Sequence, residues 1–222
     1  GDTAKAANIG NYVYGVTTGR EWFCQSSVIM RKDILDECGI DVSSITDYKD
    51  LTDVYATVKE KYPDMVMMAS NNSATPDTKY EMNDTLTDGF GVLMDHGQDT
   101  TVVDYYETDE YKEFVETMYD WQQKGYLSKD AATTTESAEN QVKAGAAFSY
   151  LAPNKPGYDT RAALLCGTEM EIAPISEPWA GTAQISYLTY GISSSSADKD
   201  KTMQCLDYLY GNADILNLLN WG

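Results

Sequence analysis

The sequence has little of the material from which catalytic and zinc sites are built. It contains one histidine, His96, and four cysteines, with no Cys-x-x-Cys pair. A serine or cysteine triad needs a histidine base, and structural zinc needs closely spaced Cys and His ligands. His96 stands in the polar run MDHGQD, which predicts a solvated loop residue. For Cys24, Cys38, Cys166 and Cys205 we expect buried free thiols rather than the two disulfides that four cysteines allow.

Positive charge and long apolar runs are also scarce. The chain has 16 Lys and Arg against 35 Asp and Glu, so its formal net charge is −19. Such an excess repels the phosphates of nucleic acids and of anionic lipids, which argues against both as partners. No run approaches the roughly 18 apolar residues of a membrane-spanning helix. Since the chain begins at Gly1 and not at Met, we expect it to be a piece of a longer protein whose targeting segment is absent.

Motifs for acyl and phosphate chemistry are missing as well. There is no Gly-x-Ser-x-Gly elbow and no phosphate-binding loop, and Met94 stands where a dinucleotide fingerprint would need its third glycine. Asp77, Glu81, Asp84 and Asp88 lack the alternating positions of a calcium loop and predict a solvated face. None of the 35 acidic residues is marked as half of a glycosidase pair. We therefore expect no cofactor, no metal and no catalysis.

Short strands alternate with helices along the chain. Strands are predicted from runs rich in Val, Ile, Tyr or Met that turn residues bound, at Asn11–Val16, Ser26–Met30, Met65–Ala69, Ala146–Leu151, Glu171–Ile175 and Ile185–Ser193. This alternation favours an α/β fold, with a mixed and mostly parallel sheet flanked by helices. A length of 222 residues allows one large domain or two small ones.

Two long helices are predicted from apolar residues that recur at i, i+3, i+4 and i+7. Their faces are Leu51, Val54, Tyr55 and Val58 in Asp47–Lys61, and Tyr111, Phe114, Val115 and Met118 in a helix that ends at Gly125. Shorter helices are predicted after Arg31 and before Ala146. Residues 70–98 are polar and carry Pro76 and an Asp-Gly pair, so we expect a long surface excursion there.

The aromatic residues are mostly of the kind that also form hydrogen bonds, with 17 Tyr and four Trp against four Phe. Such rings suit half-wet surfaces, and a sugar offers a C–H face to stack on a ring and hydroxyls to bond. Trp22 and Trp179 lie in polar loops and fit either a binding surface or a structural lid. Trp121 and Trp221 are predicted to be packing residues. Tyr14 stands at a strand end, where open α/β sheets bind ligands.

Several segments, taken in order, resemble the extracellular solute-binding proteins of sugar-type ABC importers, of the Gram-positive lipoprotein type. NYVYGVTTGREWFCQSSVIMRKDILDECGIDVSSITDYKDLTDVYATVKEKYP is similar to the family's crossing strands and the two helices that follow. YKEFVETMYDWQQKGYLSKDA resembles its long helix with a Trp-x-x-Lys-Gly ending, and ENQVKAGAAFSYLAPN its next helix and strand. YLTYGISSSSADKDKTMQCLDYLYG resembles its closing strand, serine turn and helix. The resemblance covers most of residues 10–222.

The resemblance carries expectations about the serine run. Ile185–Ile192 is expected to be a central strand and Ser193–Ser196 a tight turn into a helix. Ser195 and Asp198 fit a capping pair at the start of that helix. Its buried face is expected to consist of Met203, Leu206, Leu209 and Tyr210.

The resemblance also implies a fold and a function. Residues 1–222 would be a single α/β lobe of a type II periplasmic-binding-protein-like fold, with the first lobe and the C-terminal region missing. Members bind their solute between two lobes that close on it. The implied function is non-catalytic extracellular binding of a carbohydrate or oligosaccharide by a monomeric cell-surface lipoprotein, for uptake through an ABC permease. The strand tips would face the ligand, so the implied binding residues are Tyr14, Trp22, Asn71, Asn72, Asn154 and Trp179.

Two other functions stay open at this point. The same lobe could serve as a peptide-binding or surface interaction module, which would favour charged anchors for peptide termini. A secreted glycosidase with an unrecognised carboxylate pair is the third alternative.

Overall fold

The computed structural model describes residues 2–18, 22–23, 25–70, 83–86 and 89–222. Backbone contacts divide the chain into two compact units. Unit 1 consists of residues 1–22 and 181–222, and unit 2 of residues 23–180. The α/β class is confirmed, whereas the assignment of all 222 residues to a single lobe stays a prediction.

The described elements are short strands and mostly short helices. The strands are β1 Asn8–Ile9, β2 Tyr12–Val13, β3 Val16–Thr17, β4 Ser26–Arg31, β5 Val66–Met68, β6 Asp84–Thr85, β7 Gly91–Leu93, β8 Val102–Asp104, β9 Ala147–Pro153, β10 Met170–Pro174 and β11 Thr189–Tyr190. The helices are α1 Lys32–Cys38, α2 Leu51–Lys61, α3 Asp109–Gln123, α4 Ala138–Lys143, α5 Tyr158–Cys166, α6 Thr182–Ser186, α7 Lys199–Gly211 and α8 Ala213–Trp221. A short turn, Met94–Gly97, follows β7 and is called the histidine turn.

Unit 2 is built on a four-stranded sheet in the order β10-β4-β9-β5. The sheet is mixed, as predicted, but the expectation that it is mostly parallel is wrong. Only β5 and β9 pair in parallel, while β4 is antiparallel to both β9 and β10. Strands β5, β9 and β10 run in one direction because helical connections bring the chain back each time. Strand β4 alone is reversed and lies between two of them, which makes two of the three pairings antiparallel.

Apolar side chains cover both faces of this sheet. Val28 and Met30 of β4 pack with α1, α2 and α3 on one face, in a cluster that includes Phe148. Ile29, between them in sequence, faces the other way and packs with α4 and α5. Successive residues of a strand point to opposite faces, so a run of buried residues in β4 means that both faces are covered.

The two long helices form largely where the apolar spacing predicts them. Leu51, Val54, Tyr55 and Val58 are all buried, and helix α2 follows a turn of 3-10 helix, Tyr48–Asp50, which Asp47 caps. In α3, Phe114 and Trp121 are buried, so the packing role predicted for Trp121 is confirmed. Val115 of the predicted apolar face is exposed instead.

The described part of the predicted surface excursion contains regular structure. Strands β6 and β7 pair with each other, and β7 pairs with β8 in a separate three-stranded sheet. Val92 of β7 is fully buried, which a purely polar excursion would not provide. Residues 71–82 and 87–88 lie outside the described part of the chain.

Unit 1 corrects two predictions about the residues on either side of the serine run. Residues 182–186 form helix α6, and only Thr189–Tyr190 pair as a strand, with β3. The predicted central strand is therefore wrong, because an apolar run this short does not distinguish strand from helix. Asp198 caps α7 itself by accepting a hydrogen bond from the Lys201 N–H, whereas the Ser195 N–H bonds to Ser193 Oγ.

No side chain of unit 1 is buried, among those whose burial the structure describes. The face predicted to be buried on α7 is half-exposed at Leu206 and Leu209 and exposed at Met203 and Tyr210. The predicted strand Asn11–Val16 is split into β2 and β3. Helix α8 exposes Leu218, Leu219 and Trp221.

Two remaining expectations concern cysteines and membranes. Cys166 is buried and Cys38 half-buried, both as free thiols, but Cys205 is exposed, so buried thiols are not the rule; Cys24 lies outside the described residues. None of the helices in the described ranges is long and apolar enough to span a bilayer.

Candidate functional site

Polar side chains gather at one edge of the sheet of unit 2. Strands β5, β9 and β10 end at this edge and β4 begins there, as the register of Ser26 with Pro153 and of Ser27 with Pro174 shows. Gln25 precedes β4, while Asn154 and Ser176 follow β9 and β10. Open α/β sheets bind ligands at the carboxyl ends of their strands. This edge is therefore the candidate functional site.

Hydrogen bonds tie these residues into one group, the sheet-edge cluster of Gln25, Ser26, Asn154 and Ser176. The Gln25 Nε2 donates to the Ser176 carbonyl at 3.0 Å, and the Ser176 Oγ accepts from the Ser26 N–H at 2.9 Å. The Asn154 N–H donates to the Gln25 carbonyl at 2.7 Å, and the two side-chain amides meet at 3.4 Å. Gln25 and Asn154 are half-buried. Their amides are thus held in place but reach the surface, where they offer both donors and acceptors.

Trp179 follows Ser176 closely in the chain and is 7% exposed. The ring of His96 stacks on it, with 5.5 Å between the ring centroids and 21° between the planes. His96 is half-buried and its Nδ1 is buried with no hydrogen-bond partner. The prediction that His96 is a solvated loop residue is therefore wrong, because its imidazole packs against the indole of Trp179.

The backbone of the histidine turn has an uncommon conformation. Asp95 and His96 have φ values of 52° and 57°, and Gly97 follows with 78°. Residues other than glycine rarely adopt a positive φ, although Asp and His tolerate it better than most. A β-carbon on Gly97 would lie 3.0 Å from the Asp84 Cβ, so a side chain here would press against Asp84. The turn is thus held close to β6.

The structure brings together some of the predicted site residues and separates others. Asn154 and Trp179 both lie in unit 2, near the same sheet edge. Tyr14 and Trp22 lie in unit 1, where Tyr14 is 63% exposed and the Trp22 Nε1 donates to the Thr18 carbonyl at 3.2 Å. Asn71 and Asn72 lie outside the described residues. All six assignments stay predictions.

Sequence reasoning missed Gln25, Ser176 and His96. Gln25 and Ser176 directly flank predicted strands, so their place next to β4 and β10 was available as a signal. For His96 no such signal exists, because its partner Trp179 is far away in the sequence and the turn between β7 and β8 was not predicted.

Hydrogen bonds lower the pKa of several described carboxyl groups. The pKa is shifted at Asp33, Glu37, Asp41, Asp50 and Asp99, and every one of these shifts is downward. The causes are hydrogen bonds, from Arg31 to Asp33 and from Lys61 to Glu37 for example. A glycosidase acid needs a raised pKa, so none of these five groups has the shift of such an acid. No metal-binding cluster of His, Cys, Asp or Glu occurs in the described ranges either.

An open groove of about 550 Å³ lies at the opposite edge of the sheet, where β10 begins. It is lined by side chains of α5 and of the following turn, including Asp159, Leu164 and Glu169. We consider the sheet-edge cluster the better candidate, because the groove is shallow and lies away from the carboxyl ends of the strands.

The chain is similar to sugar-binding transport proteins. It is 26% identical, over 98% of its length, to a carbohydrate ABC transporter substrate-binding protein of Streptococcus pneumoniae serotype 4 (strain ATCC BAA-334 / TIGR4). The match covers 44% of that protein, so the chain spans about half the length of this relative. No protein-family model matches the chain.

Solved structures agree with this similarity. The N-glycan transport solute binding protein (NgtS) from Streptococcus pneumoniae superimposes with a TM-score of 0.85 at 25% identity, over 97% of this chain and 47% of that one. Its complex with Man1GlcNAc gives 0.78 at 26%, over 98% and 48%. The GacH receptor of Streptomyces glaucescens shares the fold alone, with 0.61 at 14%, over 93% and 51%. The resemblance that the sequence motifs indicate is confirmed, and the fold is that of part of a solute-binding protein.

Proposed function

We propose that this chain is the sugar-binding part of an extracellular solute-binding protein that delivers a carbohydrate to an ABC permease. The observation that carries the proposal is the match over 98% of the chain to a carbohydrate ABC transporter substrate-binding protein. The polar and aromatic edge of unit 2 supports it. The proposed action is binding without catalysis.

The sheet-edge cluster and Trp179 provide the two kinds of contact that a sugar needs. The amides of Gln25 and Asn154 would exchange hydrogen bonds with hydroxyl groups, since each amide both donates and accepts. The indole of Trp179 would stack on the C–H face of a ring. A binding site of this type is an apolar surface with a few well-placed polar groups.

We further propose that the whole protein has two lobes and that unit 2 supplies one wall of the ligand site. The carbohydrate ABC transporter substrate-binding protein that the chain matches is about twice as long as this chain. Unit 1 exposes Tyr12, Val13, Tyr187, Leu219 and Trp221, an apolar surface that a complete protein would cover. A monomeric, cell-surface lipoprotein that closes on its ligand remains the proposal for the whole.

A ligand screen tests the proposal. The longer protein and this chain are heated with Man1GlcNAc, Man5GlcNAc, other saccharides, amino acids and peptides. A ligand at about 100 times its dissociation constant should stabilise a competent protein by roughly 2.7 kcal/mol. A saccharide that shifts the unfolding temperature of the longer protein supports the proposal. A response to peptides alone would favour an interaction module, and release of reducing ends would identify a glycosidase.

Substitution of the predicted rings gives a second test. Trp179→Ala and Trp22→Ala should each weaken saccharide binding by about 1–3 kcal/mol, if the rings are anchors. Tyr119→Ala on α3 is the control, because that aromatic side chain is 67% exposed and is not a predicted ligand contact. Calorimetric titration measures the three dissociation constants. An unchanged constant for Trp179→Ala would remove Trp179 from the site.

A further inference from the structure

The stacked pair of His96 and Trp179 places a flat ring where the proposed function needs a sugar. With its centroid 5.5 Å from that of Trp179 and its plane within 21°, the imidazole lies against the indole. Trp179 is 7% exposed, too little for a ligand to stack on it in this conformation. Either the indole is a purely structural residue or the side chain that covers it has to move.

Two features show that the covered arrangement is held at a cost. The His96 Nδ1 is buried without a hydrogen-bond partner, which is unfavourable compared with the same nitrogen in water. The backbone of Asp95 and His96 is left-handed, which is strained for residues with a side chain. Strained backbone and unsatisfied polar atoms concentrate at functional and switching segments. Movement of His96 into solvent would satisfy the nitrogen.

We propose that His96 is a displaceable cover on Trp179. In the unliganded protein the imidazole occupies the indole face, and a sugar ring replaces it on binding while His96 turns outward. The inference rests on the proposed function and adds a regulation of that same site, since part of the binding energy is used to remove the cover. The apparent dissociation constant then equals that of the uncovered site divided by the fraction of molecules that are open.

The histidine turn is suited to such a movement. It follows β7 and is closed by a hydrogen bond from the Gln98 N–H to the Asp95 carbonyl, so it can change without breaking a strand pairing. Gly97 sits against Asp84 and fixes the far end of the turn. A rotation at His96 would remove the imidazole from the face of the indole on which it stacks.

The first measurement needs no ligand. His96 is the only histidine of the 222 residues, so its imidazole protons give an unambiguous NMR signal in this chain. Stacking on an indole should move these protons upfield, and Trp179→Leu should abolish that shift. Trp221→Leu, at an exposed tryptophan, is the control and should keep it. A signal at the position of a solvated histidine in the unsubstituted chain overturns the proposal.

The second measurement follows binding in the longer protein, with Man5GlcNAc as the probe. His96→Asn removes the ring and keeps a residue that tolerates left-handed backbone. It should tighten binding by about 3- to 10-fold if the cover is closed most of the time. Equal or weaker binding overturns the cover, since a structural residue would leave affinity unchanged and a sugar contact would lower it. Failure of the unsubstituted protein to bind any saccharide would instead overturn the proposed function, and the cover with it.

Discussion

Ser149 and Ser27 lie fully buried on neighbouring strands of unit 2, and their hydroxyl groups differ in what surrounds them. The Ser149 Oγ donates to the Met67 carbonyl at 2.7 Å and lies 2.8 Å from the Tyr55 hydroxyl. Because the single proton of Ser149 is used by Met67, the Tyr55 hydroxyl is the donor in that contact. Ser27 Oγ is buried with no partner.

The pairing of Ser149 predicts a loss of stability when it is removed. Ser149→Ala should leave the Tyr55 hydroxyl and the Met67 carbonyl buried and unpaired, and cost about 1–3 kcal/mol in the free energy of unfolding. Denaturant unfolding measures this. In a cycle with Tyr55→Phe, the double variant should lose less than the sum of the single losses, because the two groups act together.

Ser27→Ala is the matched control. It removes a hydroxyl that makes no hydrogen bond, so the free energy of unfolding should stay the same or rise slightly. A loss as large as that of Ser149→Ala would mean that Ser27 has a partner in solution. Both substitutions change the same atom in strands of the same sheet, and the comparison isolates the value of the hydrogen bonds.

At the scale of single residues, the sequence predicts burial and position where these follow from the residue type and its spacing along a helix or strand. Tyr55 and Trp121 are buried where their helical positions place them, and Asn154 lies at a strand end as expected. Stacking of His96 on Trp179 could not be predicted, because it depends on the fold that brings two distant segments together and on left-handed backbone at Asp95 and His96.

Among the elements, α7 shows which side chain caps the start of a helix. The Asp198 carboxylate accepts from the Lys201 N–H at 2.9 Å, while the Ser195 N–H bonds only to the neighbouring Ser193. Asp198→Ala should destabilise the start of α7 by about 1 kcal/mol, the usual value of such a cap. Amide hydrogen exchange at Lys201 and Thr202 reports it. Ser195→Ala should leave these exchange rates unchanged. Faster exchange at Lys201 and Thr202 in that variant would mean that Ser195 does contribute to the cap, as the sequence predicted.

The start of α2 has a pH dependence that follows from its cap. The Asp50 carboxylate accepts hydrogen bonds from the N–H groups of Thr46 and Asp47, which lower its pKa below the usual 3.8. A lowered pKa means that stability is present above the unfolded pKa and is lost as the pH falls through the folded one. Asp50→Asn should therefore lower stability at neutral pH and flatten its fall in acid. Unfolding curves between about pH 6 and pH 2 show this, and Asp53→Asn is the charge-matched control.

Helices with a strong apolar periodicity and strands that are short buried runs are the elements that sequence predicts well. Helices α2 and α3 and strands β4, β9 and β10 form within a few residues of their predicted bounds. Ile185–Ser193 fails because its apolar residues do not enter a core: Tyr187, Leu188 and Tyr190 are all exposed. Strand direction fails for β4 alone, since the alternation of strands and helices carries no information about a strand that is reversed.

For the whole molecule, burial is divided unequally between the units. Every residue that the structure describes as buried lies in unit 2. A segment that buries little apolar surface opens readily, because few contacts oppose its conformational entropy. In this chain, amides of α7 and α8 should therefore exchange much faster than those of β4 and β9. The same amides should slow in the longer protein, and equal rates in the two would argue against a covering second lobe.

The reversed strand β4 has a consequence for how unit 2 is made. Its residues Val28 and Ile29 pair with Leu151 and with Ile172, which follow them only much later in the chain. During synthesis β4 therefore leaves the ribosome long before β9 and β10 have been made, and its apolar residues stay unpaired until then. Such non-local pairing raises contact order and slows folding, while the waiting edge is open to association with other chains. Secretion in an unfolded state, followed by folding of the complete chain, would avoid that interval.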